Sequence, residues 1–197
     1  HRLPSLRILR AGNNKIADFS IDLPSLEELL LSHNLLRSFP IFHEFKSLMI
    51  LDLSYNGITD FWEVVHYLPN IRSLDLSHNR LMIAPSEVML GFEMLASLSK
   101  LRALSLHDNP FCQWFPEYHI LIIKIITQIE NLNSCPIKKD EKLKAKKFEP
   151  FPIEQYDAIF HNRKLQQSDP EAQQFIFTVT PVTKEFSIHY LKELLDC

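Results

Sequence analysis

Glycine is scarce in this chain: Gly12, Gly57 and Gly91 are the only three in 197 residues. A dinucleotide fingerprint or a phosphate-cradling loop needs clustered glycines for close backbone approach, so both are excluded. Cysteine is also scarce. Cys112, Cys135 and Cys197 are odd in number, and no N-x-[ST] sequon occurs. Both features point to a reducing, intracellular and cytoplasmic setting. Neither C-x-x-C nor G-x-S-x-G is present, and His43-Glu44 lacks the second histidine that a zinc-binding H-E-x-x-H helix needs one turn later. There is no excess of positive charge. Lys and Arg total 21 against 24 Asp and Glu, giving a net charge of −3, so no overall basic field exists to hold nucleic acid. No apolar run approaches the roughly 18 residues of a membrane-spanning helix. The expectation is a non-enzyme with no cofactor, no metal, no small-molecule substrate, no sequence-specific nucleic acid and no membrane partner. The chain opens at His1 directly in a patterned segment, which predicts a piece of a longer protein.

What the chain does have is a repeat. LRILRAGNNKI begins at Leu6, LEELLLSHNLL at Leu26, LMILDLSYNGI at Leu48, IRSLDLSHNRL at Ile71 and LRALSLHDNPF at Leu101. All five fit L-x-x-L-x-L-x-x-N-x-L, with Ala11 as the weak core position, at spacings of 20, 22, 23 and 30 residues. In L-x-L the two leucines alternate inward as a strand requires. No repeat can bury its apolar face alone, so stacked repeats make one continuous core. Asn14, Asn34, Asn56, Asn79 and Asn109 fall where the chain leaves each strand. An amide there can bond backbone groups that would otherwise be buried and unpaired.

These motifs resemble the leucine-rich-repeat family from residue 1 to about residue 110. The resemblance implies an α/β solenoid, right-handed, with short parallel strands on a concave face. The expected organisation is five repeats over 1–110, a helical C-terminal cap over 111–137, and a lysine-rich linker with an irregular strand and helix tail over 138–197. In the cap, Glu117 to about Ile129 reads as a helix whose Ile120, Leu121, Ile123, Ile125 and Ile126 cover the open end of the core. Ile129-x-x-Leu132-x-Ser134 reads as a degenerate sixth strand. N-P-[apolar]-C before a tyrosine-bearing helix is similar to the cap of the intracellular SDS22-like class. Ser134-Cys135 departs from the aspartate-glycine pair usual there. The extracellular cap needs four cysteines with a C-x-C pair, which this chain lacks. The resemblance implies scaffolding roles: axonemal or cytoskeletal assembly first, with regulation of a phosphatase, splicing-complex assembly, or service as the regulatory region of a larger enzyme as alternatives.

The 30-residue spacing holds an insertion. Pro85-Ser86-Glu87 reads as a helix start, and Val88, Met89, Phe92 and Leu95 form one apolar stripe packed on the core. KKDEKLKAKK, residues 138 to 147, reads as a solvated helix or linker. Helices are expected over 153–166 and 185–195, a short capped helix near Ser168, and a strand over 175–180.

A solenoid offers its open sheet face for binding. Strand alternation puts Ile8 and Arg10, Glu28 and Leu30, Ile50 and Asp52, and Asp75 on that face, with His33, Tyr55 and His78 just beyond in one column. Ile8, Leu30, Ile50 and Tyr55 are expected to form an apolar patch with the charges at its margin, a composition suited to a protein partner. Asp52 and Asp75 lie side by side and favour a basic partner residue. His33 and His78, two repeats apart, would be about 10 Å from each other, too far to share a metal.

Overall fold

The computed structural model describes residues 3–19, 23–38, 45–150 and 160–161. The chain divides into two compact units, His1–Phe160 and His161–Cys197. The expected elements at 168–171, 175–180 and 185–195 lie outside the described residues, as does the 153–166 helix except for Phe160 and His161.

Each of the five repeats contributes a three-residue strand: β1 Ile8–Arg10, β2 Glu28–Leu30, β3 Ile50–Asp52, β4 Ser73–Asp75 and β5 Ala103–Ser105. They pair in parallel and in sequential order, with β6 Asn131–Leu132 parallel to β5 and β7 Cys135–Pro136 antiparallel to β6. The register aligns like with like, so Leu9, Leu29, Leu51, Leu74, Leu104 and Leu132 form one row beneath the sheet. Leu31, Leu53, Leu76 and Leu106 make the next row, and all four are fully buried. The period-2 alternation thus separates a packed inner face from an open outer one.

The convex side carries a 3-10 helix, Trp62–Tyr67, and helix α1, Pro85–Ser97. Pro85 opens α1 at a position where its missing N–H costs nothing, and Glu87 Oε2 accepts the Ala84 N–H. Val88, Phe92 and Leu95 are buried, and Met89 is partly buried against the same core, so the stripe is structural. The Gln128 amide donates to the Ala96 and Leu98 carbonyls at 3.0 Å each, pinning the C-terminal end of α1.

The stack is closed by α2, Phe111–Trp114, and α3, Tyr118–Ile125. The helix expected to reach Ile129 stops at Ile125. The chain must drop from there to place Asn131 and Leu132 beside Ala103 and Leu104. Tyr118, Ile120, Leu121, Ile122 and Ile123 are the buried residues of α3. Ile126 is also fully buried but lies just past the helix, and Ile125 is only partly buried. The degenerate sixth strand is present and leads into a hairpin that the repeat pattern does not contain. Asn133 and Ser134 both have positive φ, 51° and 66°, and form a two-residue turn into β7.

The lysine-rich segment forms helix α4, Lys139–Lys147, which packs on α3. Ala145 is buried, the Lys142 ammonium donates to the Ile129 carbonyl at 3.0 Å, and Glu141 Oε2 accepts the Lys138 N–H at 2.6 Å. Of the solvated helix or linker expected here, the structure forms the helix, largely exposed but seated on the cap through Ala145.

Candidate functional site

The turns that follow the strands are held by the asparagines. Asn79 shows the pattern: its amide donates to Leu76 and Ser77 in its own repeat and to the Leu53 carbonyl of the preceding one, while Oδ1 accepts the Ile58 N–H at 3.0 Å. Asn34, Asn56 and Asn109 repeat this bridging with their own neighbours. Each amide thus ties two repeats together, with Asn34, Asn79 and Asn109 buried and Asn56 partly so. Asn133 serves the end of the stack differently. Its Oδ1 accepts the Leu106 N–H at 3.0 Å, where earlier repeats use a backbone carbonyl of the next strand, and its Nδ2 donates to the Tyr118 hydroxyl.

The residue before each asparagine takes the left-handed conformation. Asn13, His33, Tyr55, His78 and Asp108 have φ between 52° and 57°. Asparagine, aspartate and histidine tolerate this region better than most residues, whereas Tyr55 is an outlier by type. The shared conformation points the side chains along one edge of the sheet. His33 and Tyr55 stack at a ring-centroid distance of 4.0 Å and Tyr55 and His78 at 3.9 Å, with interplanar angles of 11° and 13°. His33 and His78 do not face empty space, because the Tyr55 ring fills the gap between them. His107, which was not among the expected site residues, meets His78 edge-on at 5.1 Å and extends the column.

On the sheet itself, the register sets Ile8, Glu28, Ile50 and Ser73 in one outward row and Arg10, Leu30, Asp52 and Asp75 in the other. All the expected face residues therefore share one surface. Ile8 is 49% exposed, Ile50 40% and Tyr55 45%. They do not merge into a single apolar cluster with charges at its margin. Glu28 stands between Ile8 and Ile50, Leu30 is flanked by Arg10 and Asp52, and Arg10 Nε donates to Glu28 Oε1 at 3.0 Å. The reason is that parallel pairing brings equivalent positions straight across, so residues of different type in successive repeats become neighbours.

Asp52 and Asp75 are adjacent as expected, and each also has a local task. Asp52 Oδ1 accepts the Ser54 N–H and hydroxyl at 2.9 and 2.7 Å, and Asp75 Oδ1 accepts those of Ser77 at 2.9 and 2.6 Å. These bonds stiffen the strand exits.

Three potential ligand groups converge at the lower end of the ring column. His78 Nε2 lies 3.2 Å, and His107 Nε2 3.8 Å, from Asp108 Oδ2. His107 Nδ1 is buried and has no hydrogen-bond partner among the described residues. A comparison of equivalent repeat positions overlooks this group, because His107 sits one position earlier in its repeat than His78 does in its own.

Cys112 and Cys135 are free thiols. Burial pushes the Cys112 thiol up to about 11, and burial also raises the neighbouring Tyr118 phenol. Cys135 is exposed. Among the described residues no helix is long and apolar enough to cross a membrane.

Residues 40–81 match the leucine rich repeat family. Osteomodulin of Rattus norvegicus is 31% identical over 70% of this chain and 33% of its own length. A protein named as a probable inactive serine/threonine-protein kinase of Dictyostelium discoideum is 28% identical over 75% of this chain and 8% of its own. The chain thus spans a third or less of the curated relatives it matches here. Among solved structures, the Drosophila melanogaster SNF/U2A′ complex has a chain that superposes with a TM-score of 0.51 at 21% identity, covering 78% of this chain and 85% of that one. At that identity the likeness concerns the fold.

Proposed function

We propose, starting from the leucine-rich-repeat solenoid that this chain forms, that it is a non-catalytic scaffold gripping a protein partner through the open sheet face of its first repeats. Repeat solenoids in general present such extended faces to protein partners. The observation that carries the reading is the surface of mixed character around Ile8, Ile50 and Tyr55: three large side chains stay substantially exposed on or beside a sheet whose inner row is buried from Leu29 onward. Arg10, Glu28, Leu30, Asp52 and Asp75 complete it, with His33 and His78 holding the Tyr55 ring upright. Alternating apolar and charged neighbours favour a partner that inserts aliphatic side chains between fixed charges and sets a basic group against the Asp52–Asp75 pair. Tyr55 is the best single anchor by type and preorganisation.

The setting we infer is intracellular and cytoplasmic, in an axonemal or cytoskeletal assembly. Two free thiols in the described cap and the lack of sequons support the intracellular part. A second reading is a regulatory segment of a larger protein, favoured by the small share of the kinase-like relative that the chain spans.

The test is affinity capture from native tissue with mass spectrometry, comparing wild type with Leu30→Glu/Tyr55→Asn. Asparagine suits the left-handed turn at 55, and both side chains point away from the core, so folding is retained. Loss of the captured partner is expected. Undiminished capture by the double variant, with loss instead on deleting 148–197, overturns the reading.

A further inference from the structure

We propose that His78, His107 and Asp108 form a binding site for a first-row divalent transition-metal ion, with Zn²⁺ the best fit to two imidazoles and one carboxylate. One ligand atom from each of the three lies within 4.8 Å of the other two. An ion held at about 2.0–2.2 Å in a tetrahedral shell keeps its N and O ligands roughly 3.3–3.6 Å apart. The two separations to Asp108 Oδ2, 3.2 and 3.8 Å, bracket that range. Small side-chain rotations close the shell.

The backbone beneath the trio is already set. His78 and Asp108 occupy the same left-handed position in consecutive repeats, with φ of 52° and 54°. Asn79 and Asn109, the next residues, are locked into the buried amide ladder. The ligands therefore hang from rigid points one strand spacing apart, which is the preorganisation a metal site needs. Two imidazoles disfavour Ca²⁺ and Mg²⁺, which take oxygen ligands. Three protein donors leave a fourth position, and the exposed Asp108 side opens it to solvent.

His107 Nδ1 limits the strength of the site. When Nε2 takes the ion, Nδ1 must carry the proton, and no acceptor faces it among the described residues. A missing outer-shell partner of this kind lowers affinity by roughly 10–100-fold. The expected site is thus of moderate, micromolar-class strength, and it shares His78 with the edge of the proposed partner surface.

The experiment is calorimetric titration of the chelator-treated full chain with Zn²⁺, paired with a Co²⁺ optical titration. One equivalent is expected, with a Co²⁺ spectrum free of the intense thiolate band that Cys112 or Cys135 would produce. Asp108→Asn keeps a residue suited to the left-handed turn while removing the anionic ligand, and is expected to weaken binding at least about tenfold. His107→Gln, where φ is ordinary, is expected to do the same, and His33→Asn to leave it unchanged. If either variant loses its fold, imidazole NMR of the wild type reads the same contact, through Zn²⁺-dependent shifts at His78 and His107. Absence of binding to either ion at sub-millimolar concentration overturns the proposal. So does unchanged affinity in folded Asp108→Asn and His107→Gln, a thiolate band in the Co²⁺ spectrum, or silent His78 and His107 resonances.

Discussion

The asparagine ladder shows why one residue type recurs where the chain leaves each strand. A carboxamide carries two donors and an acceptor, and the turn interior offers carbonyls on two repeats and one unpaired N–H. Asn79 meets all of these while buried. Among the described residues the Asn14 amide bonds only the Ala11 and Gly12 carbonyls of its own turn, and it is exposed. Asn79→Ala strands at least three backbone groups away from water and is expected to cost about 2–4 kcal/mol. Asn14→Ala should cost less than about 1 kcal/mol, because water replaces the amide. Urea midpoints at constant m-value check the pair, and equal losses would mean that bridging between repeats is not what the buried amide supplies. These asparagines were legible in the sequence because their demand is local and recurs at a fixed offset. His107 was not, because its relevance arises from a diagonal contact with His78 across repeats, which no single-repeat template contains. The alternation of Ile8, Glu28 and Ile50 was written in the sequence too, but reading each repeat separately hid it.

At the scale of elements, strands are short because each need hold only the first leucine of L-x-L, the second falling one residue past the strand where the turn begins. The cap is less regular because it must satisfy an open end with no further repeat. Its helix length and the β6–β7 hairpin follow from that tertiary demand, and Asn133-Ser134 lacks the Asn-Gly signal by which such turns are usually recognised. The cap also carries two acids, Cys112 and Tyr118, whose ionisation is opposed by burial. Cys112 Sγ lies 3.4 Å from the Leu106 carbonyl, and burial is the largest cause of its raised pKa. The sign follows from linkage: the folded state keeps the proton that the unfolded chain loses above its ordinary value of 9.0. The stability from this group is complete below about pH 9 and is lost as pH rises through about 11. The raised Tyr118 phenol acts in the same direction. Thermal unfolding followed from pH 8 to 11 is expected to show a falling Tm, with a shallower fall in Cys112→Ala. A slope identical in the variant would assign the alkaline loss to other groups.

At the scale of the whole described solenoid, stability is a sum over neighbours rather than a property of one central core. Leu51, Leu53, Leu74 and Leu76 have repeats on both sides and are at most 1% exposed. Leu6, Leu9, Ala11 and Ile16 of the first repeat are only partly buried. The backbone bonds at equivalent positions are nevertheless the same length. Ala11, Leu53 and Leu76 donate to Leu30, Asp75 and Ser105 at 2.9 Å each. Hydrogen-bond geometry therefore cannot distinguish these amides, whereas the burial of the side chains around them can. Native-state hydrogen exchange reads the difference, since each amide exchanges at the free energy of the smallest opening that exposes it. The Ala11 amide is expected to exchange first, through fraying of one repeat. Leu53 and Leu76 should exchange last and with denaturant dependence approaching that of global unfolding. Equal protection at all three would mean that the stack opens only as one cooperative unit, with the coupling between repeats stronger than the difference in burial.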